Sequence, residues 1–211
     1  MASGRGGRPR DAHLHATILA AARELVVGGG YAELAMESVA ARAGVSKKTL
    51  YRRWPSKADL VAEAVLDAYG RGGSFAVADT GDLRADLKVW LTEHAEFIAD
   101  PVNAGLIRAL IAAAAASPMD TEALYEQLSA PQQAGLVTRL RQAIAAGHIG
   151  AGTDCVAVAD AMIGSLLLQV LARTTHPAGS QISVGTVVDV LLDGVATPLS
   201  APDNGTAART R

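Results

Sequence analysis

The sequence predicts an all-α protein of about nine to ten helices, with a compact three-helix unit at its N-terminal end and a larger helical body after it. Three observations predict it. Apolar residues recur at i, i+3, i+4 and i+7 along most of the chain, and alternation with period two never persists long enough for a strand. Gly, Pro, Ser and Asp fall at spacings that start and stop helices. With 50% hydrophobic and 19% charged residues over 211 positions, the chain can bury a core.

Leu14, Ile18, Ala21, Ala22 and Leu25 make one apolar stripe on a first helix that stops at Gly28-Gly29-Gly30. Met36, Val39, Ala40 and Ala43 mark a short second helix. Gly44-Val45-Ser46 interrupts it, and Ser46 is the expected N-cap of a third helix over residues 47 to 54. Pro55 ends that helix, and Ser56-Lys57-Ala58-Asp59 has the form of a capping box opening a fourth helix that runs to residue 69. Residues 70 to 81, rich in glycine and small side chains, read as a linker. Beyond them Leu83, Leu87, Trp90, Leu91, His94 and Ile98 share a helical face, with Phe97 beside it. Asp100-Pro101 and Ser117-Pro118 each pair an N-cap residue with Pro at the first helical position, so each begins a helix. Leu136, Leu140 and Ile144 mark another, closed by Gly147, and two apolar helices follow over residues 154 to 173 and 183 to 196. The expected division is a flexible basic arm at 1–10, the three-helix unit at 11–57, the body at 58–199 and a disordered tail at 200–211.

The net charge of -2 hides an asymmetry. Residues 1 to 57 carry ten basic and four acidic side chains, a balance of +6, whereas the remainder carries nine basic and seventeen acidic, a balance of -8. A basic head and an acidic body suggest that only the head meets a polyanion. The single cysteine, Cys155, makes no intramolecular disulfide or Cys-based zinc site, and residues 1 to 13 are polar and basic, unlike a signal peptide. Both features suit a reducing, cytoplasmic setting. Residues 154 to 173 hold 14 apolar residues in 20, but Asp160 and Gln169 interrupt them, so the segment reads as a buried helix with no membrane partner.

Helix, glycine turn and basic helix is the helix-turn-helix arrangement, whose last helix enters the DNA major groove. The side chains suit that role. Lys47 and Lys48 can reach guanine N7 and O6 from the start of the third helix, just after Ser46, and Thr49, Tyr51, Arg52, Arg53 and Lys57 are donors suited to phosphate oxygens. Leu50 and Trp54 remain to face inward. Arg8 and Arg10, in the run Gly4-Arg5-Gly6-Gly7-Arg8-Pro9-Arg10, can lie in an adjacent minor groove; the same residues also read as an ordinary tail.

Residues 9 to 66, and above all Gly44-Val45-Ser46-Lys47-Lys48-Thr49-Leu50-Tyr51-Arg52-Arg53-Trp54-Pro55-Ser56-Lys57, resemble the DNA-binding domain of the TetR family of transcriptional regulators. The resemblance implies a homodimeric, all-α repressor of operator DNA whose C-terminal domain dimerises and binds a small-molecule effector. It places Lys47 and Lys48 at base-reading positions and Thr49, Tyr51 and Lys57 at phosphate-contacting ones. One departure stands out: the family usually has Thr or Ser just before the second helix, and this chain has Leu34-Ala35, so no DNA role is carried to Ala35.

In the body, Trp90, His94 and Phe97 on one helix with Met162, Leu166 and Gln169 on another would line an effector site, although the same stripes also make an ordinary core. The last two helices are apolar nearly all round and need covering on more than one side. Val158, Met162, Leu166, Val170, Val187, Val188, Leu191, Leu192 and Val195 are therefore expected in a four-helix interface across a two-fold axis; a central position in a monomer is the alternative. An enzyme finds little material. Cys155 has no adjacent His, His13 and His15 do not share a helical face, and His148 and His176 are isolated, so no catalytic residue, cofactor or metal is expected. A helix-turn-helix protein that binds DNA without any effector remains a further alternative.

Overall fold

The computed structural model describes residues 8–70, 75–172 and 184–196, and the side chains of 11–70, 75–172 and 185–194. The expected tail at 200–211, the side chains of Arg8, Arg10 and Val195, and His176 lie outside them. Ten α-helices are described: α1 (Arg8–Glu33), α2 (Met36–Arg42), α3 (Lys47–Arg53), α4 (Lys57–Tyr69), α5 (Leu83–Ala99), α6 (Pro101–Ala116), α7 (Pro118–Leu124), α8 (Ala130–Ala145), α9 (Cys155–Ala172) and α10 (Val184–Ala196). A π-helical turn, Tyr125–Ser129, joins α7 to α8. No strand occurs among the described residues.

Local chemistry sets most of the ends. Asp100 accepts from the backbone N–H groups of Val102 and Asn103 at the start of α6, and Ser117 from that of Asp120 at the start of α7, each with Pro at the first helical position. The Ser56–Asp59 capping box forms in both directions. α1 runs to Glu33 but breaks at Gly30, whose φ of 75° is left-handed. Its helical start at Arg8 takes in the last three residues of the expected arm.

The buried side chains form two cores. The first gathers Ile18, Val39, Leu50, Trp54 and Leu60 from α1 to α4, and continues past residue 57 into Leu106 of α6 and Leu124 of α7. The second lies among α5, α8, α9 and α10, around Leu87, Leu91, Leu140, Met162 and Val188. Helix α4 packs against both α1 and α6, so the helix that follows α3 is anchored in the body.

Backbone contacts fix the segment from Phe75 to Asp82. It crosses α8 at Gly135, where a Cβ would lie 2.3 Å from the Phe75 carbonyl oxygen, so only glycine admits the crossing. The indole N–H of Trp90 donates to that carbonyl at 3.3 Å. Arg139, buried on α8, donates to the Ala78 carbonyl at 3.1 Å and to Asp86 of α5 at 2.8 and 3.0 Å. Thr80 adds its hydroxyl to Asp86 at 2.6 Å. Burial pushes the Asp86 carboxyl up, but the hydrogen bonds from Thr80 and Arg139 outweigh it and hold the group below the usual carboxylate range.

Helix α9 is 18 residues long with a mean hydropathy of 2.0, which meets the length and composition of a membrane span. It is nonetheless packed against α5, α6, α8 and α10. Its phase corrects the expected subunit interface. Val158, Met162, Leu166 and Val170, with Val188 and Leu192 of α10, are buried inside the protomer, and Val187 and Leu191 are half-buried. The solvent face instead carries Val156, Leu167, Leu168 and Leu171, with Val190 of α10. Both faces of α9 are apolar, so periodicity alone could not choose between them.

Candidate nucleic-acid interface and ligand cavity

The turn between α2 and α3 depends on Gly44, whose φ of 67° reverses the chain. Ser46 then caps α3, its hydroxyl oxygen accepting from the Thr49 N–H at 3.2 Å and lying 2.9 Å from the Thr49 hydroxyl. In contrast, Ala35 at the start of α2 offers no side-chain cap, as the sequence implies.

Burial on α3 separates its two sides. Leu50 is buried completely and Trp54, at the C-terminal end, nearly so. The Trp54 indole donates to Glu63 of α4 at 2.5 Å and stacks on His15 of α1, with ring centroids 5.4 Å apart. His15 in turn lies 3.1 Å from the other Glu63 oxygen. No local spacing in the sequence reveals this support, because its members come from three helices. Lys47, Lys48, Tyr51 and Arg52 occupy the exposed side, with Thr49 half-buried beside them.

Not all the expected donors face solvent equally. Lys48 and Arg52 have no ion-pair partner among the described residues, whereas Lys47 pairs with Glu37 of α2 at 3.1 Å. Arg53 turns back to Asp11 of α1 at 2.7 Å. Lys57 donates to the Tyr31 carbonyl at 3.0 Å and sits 4.2 Å from the centre of that ring, so it ties the end of α1 to the start of α4. Burial, with Asp120 and Asp59 nearby, pushes the Tyr31 hydroxyl up to about 12, and the ring under Lys57 stays neutral.

A cavity of about 80 Å³ lies in the body. Val65 and Tyr69 of α4, His94 and Phe97 of α5, Gln132 of α8 and Leu166 of α9 are among its walls. Of the six residues expected at an effector site, His94, Phe97 and Leu166 therefore line it. Trp90 and Met162 are core residues, and Gln169 lies away from the cavity with its side-chain nitrogen buried and unbonded. Tyr69, Phe75 and Gln132 were not legible as site residues, since no local spacing brings α4, the linker and α8 together. His94 stacks on Trp90 at 3.7 Å and places Nδ1 2.7 Å from the Trp90 carbonyl, so Nδ1 is the donor there. Its Nε2 is 3.0 Å from the Tyr69 hydroxyl, at the last residue of α4.

Comparison with known proteins follows this division. Residues 18–64 match the family model for bacterial regulatory proteins of the tetR family, and residues 77–191 match the tetracyclin repressor-like C-terminal domain. The chain is 34% identical to the DNA-binding transcriptional repressor TetR of Mycobacteroides abscessus, over 66% of this chain and 72% of that protein. The crystal structure of the TetR family transcription regulator SCO0332 superposes with a TM-score of 0.65 at 33% identity, covering 87% of this chain and 99% of that one. FadR of Bacillus subtilis, solved in complex with stearoyl-CoA, shares the fold at 16% identity and a TM-score of 0.66, over 87% and 98% of the two chains. Its relatives are regulators and not enzymes, and the chain itself belongs to the TetR family of helix-turn-helix transcriptional regulators.

Proposed function

We propose that the protein is a homodimeric repressor that acts in the cytoplasm and leaves a palindromic operator when a small molecule enters its body. The observation that carries the reading is α3: a capped helix whose apolar residues anchor it and whose exposed side presents Lys47, Lys48, Tyr51 and Arg52 together. Lys47 and Lys48 read base edges, while Thr49, Tyr51 and Arg52 hold phosphates. Two such helices reach successive major grooves about 34 Å apart only in a dimer. The apolar outer face of α9, with Val190 of α10, supports a second copy of the chain as its occupant.

Release follows from where the cavity sits. Tyr69 and Val65 belong to α4, which only three residues separate from the end of α3. A ligand that binds better to one placement of α4 shifts the spacing of the two recognition helices, and only by that difference in affinity. The presence of a cavity favours this reading over DNA binding without an effector.

In vitro selection of bound DNA tests the proposal and should return a sequence with two inverted halves. Lys48→Ala should then flatten the base preference, whereas Tyr51→Phe should weaken all sequences alike; equal behaviour of the two would refute the assigned roles. With Arg52 and the arm arginines Arg5, Arg8 and Arg10 neutralising about four phosphates per subunit, log affinity should fall with log salt at a slope near -7.

A further inference from the structure

We infer that the ligand of this cavity is an uncharged, ring-bearing and largely apolar molecule whose one polar group is held by the Gln132 amide; the inference rests on the ligand-released reading above. The walls make the case. Among the described residues, no Lys, Arg, Asp or Glu lines the cavity. Apart from Tyr69, His94 and Gln132, every lining side chain is apolar. A carboxylate, phosphate or ammonium group would lose its water there and gain no opposite charge, which costs more than one hydrogen bond returns.

The polar groups are unequal. Tyr69 and His94 are within hydrogen-bond reach of each other, and His94 is further engaged with the Trp90 carbonyl. Gln132 makes no hydrogen bond among the described residues and offers both a donor and an acceptor, so a carbonyl or hydroxyl on the ligand can use it. The aromatic content points to a ring. The chain has only two tryptophans, four tyrosines and two phenylalanines, yet both phenylalanines, Tyr69 and Trp90 meet around His94 and the cavity. Tyr69 meets Phe97 edge-on at 5.3 Å, the kind of contact a further ring can join. At about 80 Å³ the space is smaller than the roughly 150 Å³ of an apolar cavity that takes up benzene, so uptake must widen it. Parting Tyr69 from His94 widens it and moves the end of α4.

Four probes of similar size test this by calorimetry on the full chain: acetophenone, ethylbenzene, benzoate and 1-phenylethylammonium. Acetophenone should bind tightest, at least about tenfold tighter than either ion. Gln132→Leu should lower acetophenone affinity about fivefold, to the level of ethylbenzene, and leave ethylbenzene unchanged. Ile163→Trp and Ile107→Phe, both filling the cavity, should abolish binding in variants that keep the wild-type helical circular dichroism. Benzoate or the ammonium binding as tightly as acetophenone would overturn the ligand class, as would no binding of any probe at millimolar concentration. Equal affinity of the native chain for acetophenone and ethylbenzene would overturn the role of Gln132. Binding that survives both filling variants would show that the ligand sits elsewhere, and the reading of the cavity itself would fall.

Discussion

Helices α3 and α9 solve opposite problems with opposite sequences. α3 is seven residues long, and its polarity states its orientation: Leu50, with Trp54 just beyond, must go inward, and the cations must go outward. α9 is 18 residues long and apolar on nearly every side, so its sequence states that it needs two partners without stating which face meets which. The fold decides. Val158, Met162, Leu166 and Val170 face the core, and Leu167, Leu168 and Leu171 face outward. An amphipathic helix encodes its own phase, whereas a uniformly apolar one borrows its phase from neighbours.

The largest expected effect exposes that hidden phase. Met162→Asp places an unpaired charge at a completely buried position and should cost more than about 4 kcal/mol, which chemical denaturation would register as loss of the folded state. Leu168→Asp, at a residue 53% exposed on the same helix, should change protomer stability by less than about 0.5 kcal/mol yet convert the proposed dimer to monomer, measured as solution mass. Similar effects of the two substitutions would mean that the faces are not distinct.

What was legible in the sequence was local. Ser46, the Ser56–Asp59 box, Asp100-Pro101 and Ser117-Pro118 act within four residues of themselves, and each cap forms as expected. The basic side of α3 was legible for the same reason. Non-local placement was not. Lys57 has the chemistry of a phosphate donor, but its long side chain reaches the Tyr31 carbonyl, 26 residues away. The cavity unites α4, α5, α8 and α9, and no periodicity in any of them names Tyr69 or Gln132.

Asp86 and Arg139, 53 residues apart, join α5 to α8 by a contact whose partners, unlike the residues of α9, are specified by charge. Asp86→Ala leaves the buried Arg139 guanidinium with only the half-exposed Asp79 carboxylate, 3.3 Å away, and should cost about 3 kcal/mol in denaturant unfolding. Asp86→Leu with Arg139→Met should recover much of the loss; a double variant as unstable as the single would show that the charge was not the cause. The pH dependence has a definite sign. Because the Asp86 carboxyl lies below its ordinary value in the folded state, its contribution is complete above the unfolded value of about 3.9 and disappears as pH falls through the lower folded value. Acid unfolding of Asp86→Asn should accordingly be shallower in that window.

Within the head, α2 is where local signals are weakest. Ala35→Ser supplies the missing acceptor at its start and should stabilise the protein by about 1 kcal/mol, seen as a higher denaturation midpoint at unchanged slope. No gain would mean that the turn before α2 holds Ala35 in a geometry a serine cannot use.

The smallest effect on stability belongs to Glu37→Gln, and it separates what α3 needs for folding from what it needs for DNA. Glu37 and Lys47 are both at least half exposed, so their ion pair contributes little to the fold. Hydrogen bonding to its own backbone, then the adjacent Lys47, holds the Glu37 carboxyl below its ordinary value, so it is charged at neutral pH. That charge occupies Lys47 and opposes an approaching phosphate. Gln at this position frees Lys47 for DNA, and each subunit then releases up to about one more counterion, which steepens the salt slope by about 0.9 per subunit and raises affinity at low salt. Fluorescence anisotropy on a fixed operator across salt concentrations measures both. A slope unchanged from the native protein would mean that Lys47 already leaves Glu37 when DNA binds, and that α3 presents its full charge without help.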